Sequence, residues 1–148
     1  MDQAVNQTAV MDETATIRHV LETYTTWAMV GCSPDPYRAS HSVAQTLMDA
    51  GMDVIPVNPT CGDTLLGRPC YPDLAAIPSG RGVEVVDIFR RSELAGAHVD
   101  EAIAVGAKAV WLQLGVIDEA AAQRARDAGL HVVMNRCPAR ELPRLRSA

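Results

Sequence analysis

The feature that most constrains the fold is a regular alternation of short apolar runs and helical segments along the chain. The apolar runs occupy residues 27–31, 53–58, 83–89, 107–112 and 130–134. Between them, apolar residues recur at helical spacing over 12–24, 40–50, 94–105 and 118–128. Such alternation is typical of βαβ units, so the sequence predicts a Rossmann-like three-layer α/β domain with a mainly parallel sheet of about five strands.

One domain accounts for nearly all of the chain. We expect residues 12–138 to form it, with 1–11 as a flexible N-terminal lead and 139–148 as a loosely ordered basic tail. The lead lacks the apolar run of a signal peptide. Residues 60–71 are loop-rich, with one short edge strand expected near Cys70, and residues 72–77 form a short helical turn.

Composition narrows the classes of partner and compartment. A net charge of −5 disfavours nucleic acid, whose partners usually carry a basic surface. No stretch approaches the roughly 18 apolar residues of a membrane span, so we expect a cytoplasmic protein without a membrane partner. The four cysteines, Cys32, Cys61, Cys70 and Cys137, contain no C-x-x-C pair, and we expect neither disulfides nor a metal site. The sequence does not determine the oligomeric state, and a homo-oligomer is one of the options.

Unusual residues follow each predicted strand, where an open parallel sheet binds its ligands. The candidate binding residues are Gly31, Cys32, Ser33, Arg38 and Ser40 after the first strand, Val57, Asn58 and Pro59 after the second, Phe89, Arg90 and Arg91 after the third, and Gln113 and Gly115 after the fourth. Together they predict one ligand site along the carboxyl edge of the sheet.

Several of these residues indicate an anionic ligand. Positive charge at a helix N-terminus opposes the helix dipole, so Arg90 and Arg91 before a helix suggest a nearby anion. Arg38 and Ser40 could contact a pyrophosphate at the first crossover helix. The first loop is not G-x-G-x-x-G, and Asn58 stands where an NAD site carries an acid, so both features disfavour a dinucleotide.

The motifs at these strand ends resemble a known family. They are Gly31-Cys-Ser-Pro, Val54-Ile-Pro-Val-Asn-Pro, Val86-Asp-Ile-Phe-Arg-Arg, Ala107-Lys-Ala-Val-Trp-Leu-Gln-Leu-Gly and Asn135-Arg-Cys-Pro. In order and spacing they resemble the small stand-alone CoA-binding domain proteins, which are similar to the CoA-binding domain of the succinyl-CoA synthetase alpha subunit. The resemblance extends over about residues 25–138.

The resemblance implies a Rossmann-like fold with coenzyme A lying across the strand ends. The phosphates would meet the loop from Gly31 to Ser40, with Arg38 as charge partner. Val57, Asn58 and Pro59 would border the adenine or ribose, and Phe89, Arg90 and Arg91 the neighbouring strand end. Gln113 and Gly115 would lie by the pantetheine arm. Cys32 departs from the family, in which an apolar residue is common at this position.

We expect a protein that binds CoA or an acyl-CoA rather than an enzyme, because no nucleophile–base pair is evident and no catalytic residue is assigned. The synthetases act through a phosphohistidine in a further domain, and we expect no such domain in this protein. Two alternatives stay open. One is an NAD(P)- or acyl-CoA-dependent enzyme of small-molecule metabolism. The other is redox regulation, in which Cys32 or Cys137 forms a mixed disulfide with CoA and Arg136 lowers the pKa of Cys137.

Overall fold

A five-stranded parallel sheet forms the centre of the molecule. The computed structural model describes residues 12–147. The strands of the sheet are β1 (Thr26–Val30), β2 (Asp53–Val57), β5 (Val85–Ile88), β6 (Ala109–Leu112) and β7 (His131–Met134), and a separate antiparallel hairpin joins β3 (Thr64–Leu65) to β4 (Arg68–Pro69). Their order in the sheet is β2-β1-β5-β6-β7, with every pair parallel.

Helices cover both faces of this sheet. They are α1 (Glu13–Thr23), α2 (Ala39–Asp49), α3 (Ser92–Ala104), α4 (Glu119–Asp127) and α5 (Pro138–Ser147). Helices α1, α2 and α5 pack on one face, and α3 and α4 on the other. Covering both faces explains why the strands are mainly apolar instead of alternating between apolar and polar residues. The predicted three-layer α/β fold is thus confirmed. Within residues 12–147, no helix is both long enough and apolar enough to span a membrane.

The face under α1, α2 and α5 is built around the two tryptophans. The rings of Trp27 and Trp111 are fully buried with centroids 5.6 Å apart. Each indole N–H has a backbone acceptor, because Trp27 Nε1 donates to Tyr24 O at 3.0 Å and Trp111 Nε1 donates to Arg136 O at 2.8 Å. A chain with few aromatic residues therefore places its largest ones in the core without leaving a polar atom unpaired.

The strand order reverses between β1 and β5, and this sets the position of the site. The chain runs from β1 through α2 to β2, then returns to β5 on the other side of β1. Connections therefore leave the carboxyl ends of β1 and β5 in opposite directions and open a crevice between them, the place where α/β sheets bind ligands.

The C-terminal segment corrects one prediction. Residues 138–147 form helix α5, in place of the loosely ordered tail expected from 139 onward. Pro138 suits the first position of a helix, and the Cys137 carbonyl accepts hydrogen bonds from the N–H groups of Arg140 and Glu141. The helix stays on the sheet because Leu142 is buried in the core. The expected flexible lead, 1–11, lies outside the described residues.

The segment after β2 corrects a second prediction. Cys61 and Cys70 form a disulfide, although the sequence predicted none. The β3–β4 hairpin turns the chain back on itself and brings the two Cα atoms to 6.5 Å, within the range for a disulfide. The segment thus holds two short strands where one was expected. It is tied to the edge of the sheet by a bridge between Val57 and Tyr71.

Candidate functional site

Helices α2, α3, α4 and α5 all begin at the carboxyl edge of the sheet, since each follows a strand. The N-cap of α4 is Asp118, whose carboxylate accepts from Ala121 N at 3.0 Å. The N-caps of α2 and α3 are Arg38 and Arg91, and neither side chain makes a capping hydrogen bond. These two helix starts flank the β1–β5 crevice with arginines and without a capping oxygen. An anion is favoured at such a position.

Gly31 lets the backbone turn sharply at the end of β1. Its φ of +83° belongs to the left-handed region, and a Cβ there would lie 2.3 Å from Phe89 O. The N–H groups of Gly31 and Cys32 both donate to Val57 O, at 2.9 and 3.3 Å. The first loop is thereby held close to the ends of both neighbouring strands, and only glycine satisfies this geometry.

A cleft of about 430 Å³ opens along this edge, on the face covered by α2 and α5. Of the predicted residues, Phe89, Arg90 and Gln113 line it. They follow β5 and β6, so the floor of the cleft runs across adjacent strand ends. The walls come from the first turns of α2 and α5 and from the segment after β6, through Ala39, Ser42, Val43, Leu114, Val116, Cys137, Ala139 and Arg140.

A second, much smaller cavity lies on the other side of Arg90. Its volume is about 30 Å³, and the predicted residues Gly31, Val57, Pro59 and Arg90 are among those that line it. Asp73, His98 and Glu101 add polar groups to its wall. Because Arg90 borders both spaces, its side chain separates the cleft from the cavity at the point where the strand order reverses.

Four of the predicted residues form hydrogen bonds within the loops around the site or are buried in them. Asn58 Nδ2 donates to Cys32 O at 2.8 Å and so ties the β1 loop to the β2 loop. Ser33 N donates to the hydroxyl of Ser40 at 3.0 Å, and Ser40 itself is buried. Cys32 is buried too. These groups organise the loop from Gly31 to Ser40.

The three remaining predicted residues line neither space. Arg38 and Arg91 are exposed at the starts of α2 and α3, with Arg91 Nε 3.4 Å from a carboxylate oxygen of Glu93. Gly115 adopts a φ of +86°, and its N–H donates to Asn135 Oδ1 at 2.7 Å. The predicted residues therefore all lie near the carboxyl edge of the sheet, but only some of them line the cleft or the cavity.

Two buried side chains near the cleft have polar atoms without a partner. Among the described residues these atoms are Gln113 Oε1 and both carboxyl oxygens of Asp87. Asp87 lies in the middle of β5, in register with Met29 and Trp111. Burial raises the pKa of the Asp87 carboxyl group well above its usual value.

The two cysteines of the predicted redox alternative have different surroundings. Burial is the main cause that raises the pKa of Cys32 to about 11, and the charge of an ionised Asp87 would add to it. Cys137 borders the cleft. Arg136, expected to act on Cys137, instead forms an ion pair with Glu13 of α1. Within the described residues, no cluster of three or more His, Cys, Asp or Glu side chains could hold a metal ion.

Sequence reasoning missed the residues that the helices contribute to the cleft. Ser42 and Val43 lie one turn into α2, and the helical spacing after Arg38 was a usable signal for them. Arg140 lies in the first turn of α5. No signal was available for Arg140, because the sequence did not predict that helix.

Several known proteins are similar to this chain in sequence and fold. Residues 25–143 match a family model described as a CoA binding domain. The Bacillus subtilis protein YneT, itself uncharacterised, is 36% identical over 123 residues, which cover 83% of this chain and 89% of YneT. A solved structure from Pyrococcus horikoshii is 41% identical with a TM-score of 0.84, and the match covers 91% of this chain and 93% of that one.

A larger protein contains a similar domain. It is the dinucleotide-forming acetyl-coenzyme A synthetase 1 of Ca. Korarchaeum cryptofilum, 27% identical with a TM-score of 0.64. The match covers 78% of this chain and 28% of the synthetase.

Proposed function

The chain belongs to the CoA-binding domain family, and we propose that it holds coenzyme A or an acyl-CoA across the carboxyl ends of its strands. The observation that carries the proposal is the pair of helix starts at the strand-order reversal. There Arg38 and Arg91 occupy the N-caps of α2 and α3 without capping them. A ligand with phosphate groups supplies the negative charge that these positions favour.

The nucleotide end of the ligand belongs at β1 and β2. The phosphates meet the loop from Gly31 to Ser40, where Gly31 permits close approach and Arg38 is the charge partner. The adenine or ribose lies against Val57, Asn58 and Pro59. Supporting this placement, Val57 and Pro59 already line a small cavity, which Arg90 borders from the β5 side.

The pantetheine arm belongs in the larger cleft. Its two amide groups suit a surface that is mainly apolar with a few polar atoms, and Phe89 and Gln113 offer that combination. Gln113 Oε1 has no hydrogen-bond partner. An amide N–H of the arm would satisfy this acceptor and remove the free-energy cost of leaving it unpaired. Gly115 follows on the same segment, beside the arm.

Calorimetric titration with CoA tests the proposal. Arg38→Ala removes the charge partner of the phosphates, and we expect CoA affinity to fall by about tenfold to a hundredfold, the usual effect of losing a hydrogen bond to a charged group. Arg126→Ala is the matched control. It removes the same charge from an exposed residue in the last turn of α4, at the opposite edge of the sheet, and affinity should stay within about twofold.

Further titrants separate this function from the alternatives. Dephospho-CoA and pantetheine should bind more weakly than CoA, because they lack one or all of its phosphates. NAD⁺ should bind more weakly still. Saturation by NAD⁺ with no response to CoA would overturn the proposal in favour of the NAD(P) alternative. Consumption of acyl-CoA or NADPH by the purified protein would show catalysis, contrary to the binding role.

A further inference from the structure

Among the cysteines, Cys137 is the one whose position suits a reaction with a ligand. Cys61 and Cys70 are joined to each other. Cys32 is completely buried beneath the β1 loop, and the pKa of its thiol is raised to about 11. Cys137 follows β7, is 7% exposed, and lines the cleft together with Gln113. Gln113 is 7% exposed as well, and its Oε1 has no hydrogen-bond partner, an independent sign that the cleft receives a polar ligand group.

The distance from β1 to β7 along the carboxyl edge corresponds to the length of the pantetheine arm. Phe89, Gln113 and Cys137 follow β5, β6 and β7, which are consecutive strands. From the end of β1 to the end of β7 there are three strand spacings of about 4.8 Å, or about 14 Å. An extended arm of about a dozen bonds advances roughly 1.2 Å per bond, or about 15 Å. An arm whose phosphates lie at the β1 loop therefore brings its terminal sulfur to Cys137.

We propose that Cys137 is a covalent attachment site for the thiol of CoA, formed by exchange with CoA disulfide. The inference rests on the proposed function, because it needs the arm to lie in the cleft. The Cys137 thiolate attacks one sulfur of CoA disulfide. A bond forms between Sγ and that sulfur, the disulfide of the reagent breaks, and the second CoA leaves as a thiolate. The proton lost by Cys137 is balanced by the one that the leaving thiolate takes from water.

The position of Cys137 favours this exchange. Its carbonyl accepts from Arg140 N at 3.0 Å and Glu141 N at 3.1 Å, so the residue stands at the start of α5. Negative charge on its sulfur lies near the positive end of the helix dipole. The same helix buries Leu142 in the core, which fixes the thiol relative to Gln113.

Intact-mass measurement of the full chain after incubation with CoA disulfide tests the inference. We expect a single CoA adduct that dithiothreitol removes and that peptide mapping assigns to Cys137. Desulfo-CoA, which lacks the thiol, should slow the reaction by occupying the cleft. CoA disulfide should react at least about tenfold faster than glutathione disulfide, because the bound nucleotide positions its sulfur.

Variants identify the reacting residue. Cys137→Ser and Cys137→Ala should form no adduct while melting as cooperatively as the wild type. Cys32→Ser and the double variant Cys61→Ser/Cys70→Ser should keep the adduct. An adduct on Cys32, Cys61 or Cys70, or equal rates with the two disulfides, would overturn the inference.

If calorimetry shows CoA binding and the wild type forms no adduct, the covalent site is wrong and the proposed function stands. If CoA does not bind, the proposed function itself fails.

Discussion

At the end of β1, the backbone of Gly31 passes so close to Phe89 O that a side chain has no space. We predict that Gly31→Ala lowers the free energy of unfolding by about 1–3 kcal/mol more than Gly106→Ala does. Both glycines have positive φ, +83° and +79°, so both variants carry the backbone cost of about 1–2 kcal/mol. Only the Gly31 variant adds a contact with the neighbouring strand, because a Cβ at Gly106 meets nothing within 4 Å.

Urea unfolding of the two variants measures this difference. Equal losses would mean that the β1 loop moves away from β5 at little cost, and the close approach would then not constrain the site. A larger loss of unfolding free energy for Gly31→Ala would show that the close approach of Gly31 to Phe89 O holds the first loop in position.

Asp87 makes stability depend on pH. Burial raises the pKa of its carboxyl group in the folded chain, whereas in the unfolded chain the group ionises above about pH 4. Unfolding therefore releases a proton, and stability falls as pH rises from the unfolded-state pKa towards the folded-state pKa. We predict that the free energy of unfolding of the wild type falls relative to Asp87→Asn by about 1.4 kcal/mol per pH unit in that window.

Urea unfolding of both proteins at pH 5, 6 and 7 gives the comparison. The other titrating groups act equally in both proteins, so the difference between them isolates Asp87. A constant difference across this range would show that Asp87 titrates near its ordinary value.

At the scale of elements, helix α5 supplies both a wall of the cleft and part of the core. Leu142 is 6% exposed and packs with α1 and α2 against the sheet. We predict that Leu142→Ala lowers the free energy of unfolding by about 2–4 kcal/mol, the usual cost of truncating a buried leucine. Val105→Ala, at a residue 41% exposed after α3, should cost less than about 0.5 kcal/mol.

Chemical denaturation of the Leu142→Ala and Val105→Ala variants tests whether residues 138–147 form a docked helix or a loosely ordered tail. Equal, small effects of the two substitutions would mean that α5 is not docked in solution, as the sequence prediction had it.

The elements that the sequence predicted well are those whose apolar pattern is local. Strands β1, β2, β5 and β6 are short runs buried on both faces, and the edge strand β7 is a short apolar run that is partly buried. Such runs are visible in the chain without knowledge of their neighbours. Helix α5 was missed because Pro143 and several charged residues conceal its one buried leucine, Leu142. The Cys61–Cys70 disulfide was missed because only the hairpin brings the two residues together.

The sequence predicted where the candidate site lies, but not which of its residues line a cavity. Parallel strands place their carboxyl ends at one edge, so the strand-end residues had to lie near one another. Which of them point into a cavity depends on side-chain packing. Ser40 and Asn58 turned out to bond within the loops, and Arg140 entered the cleft from a helix that the sequence did not predict.

Across the whole molecule, the two edges of the sheet carry different interactions. The amino edge holds charged residues that tie the fold together. Asp53 pairs with Arg68 and Arg81, each at 3.0 Å, and Glu84 Oε1 accepts from the backbone N–H groups of Thr25 and Thr26. The carboxyl edge holds the cleft, the two helix starts with an arginine at the N-cap position and the unpaired oxygen of Gln113.

This separation makes the fold a convenient scaffold for a protein engineer. The ion-paired residues lie at the amino edge of the sheet, and the cleft residues lie at the carboxyl edge. The two groups are about a strand length apart. A library that randomises only the exposed cleft residues, Ala39, Ser42, Leu114 and Arg140, would therefore leave the core and the anchoring groups intact, and most of its members should still fold. New ligand specificities could be selected from such a library before any stabilising substitutions are needed, and those substitutions could later be added at the opposite end.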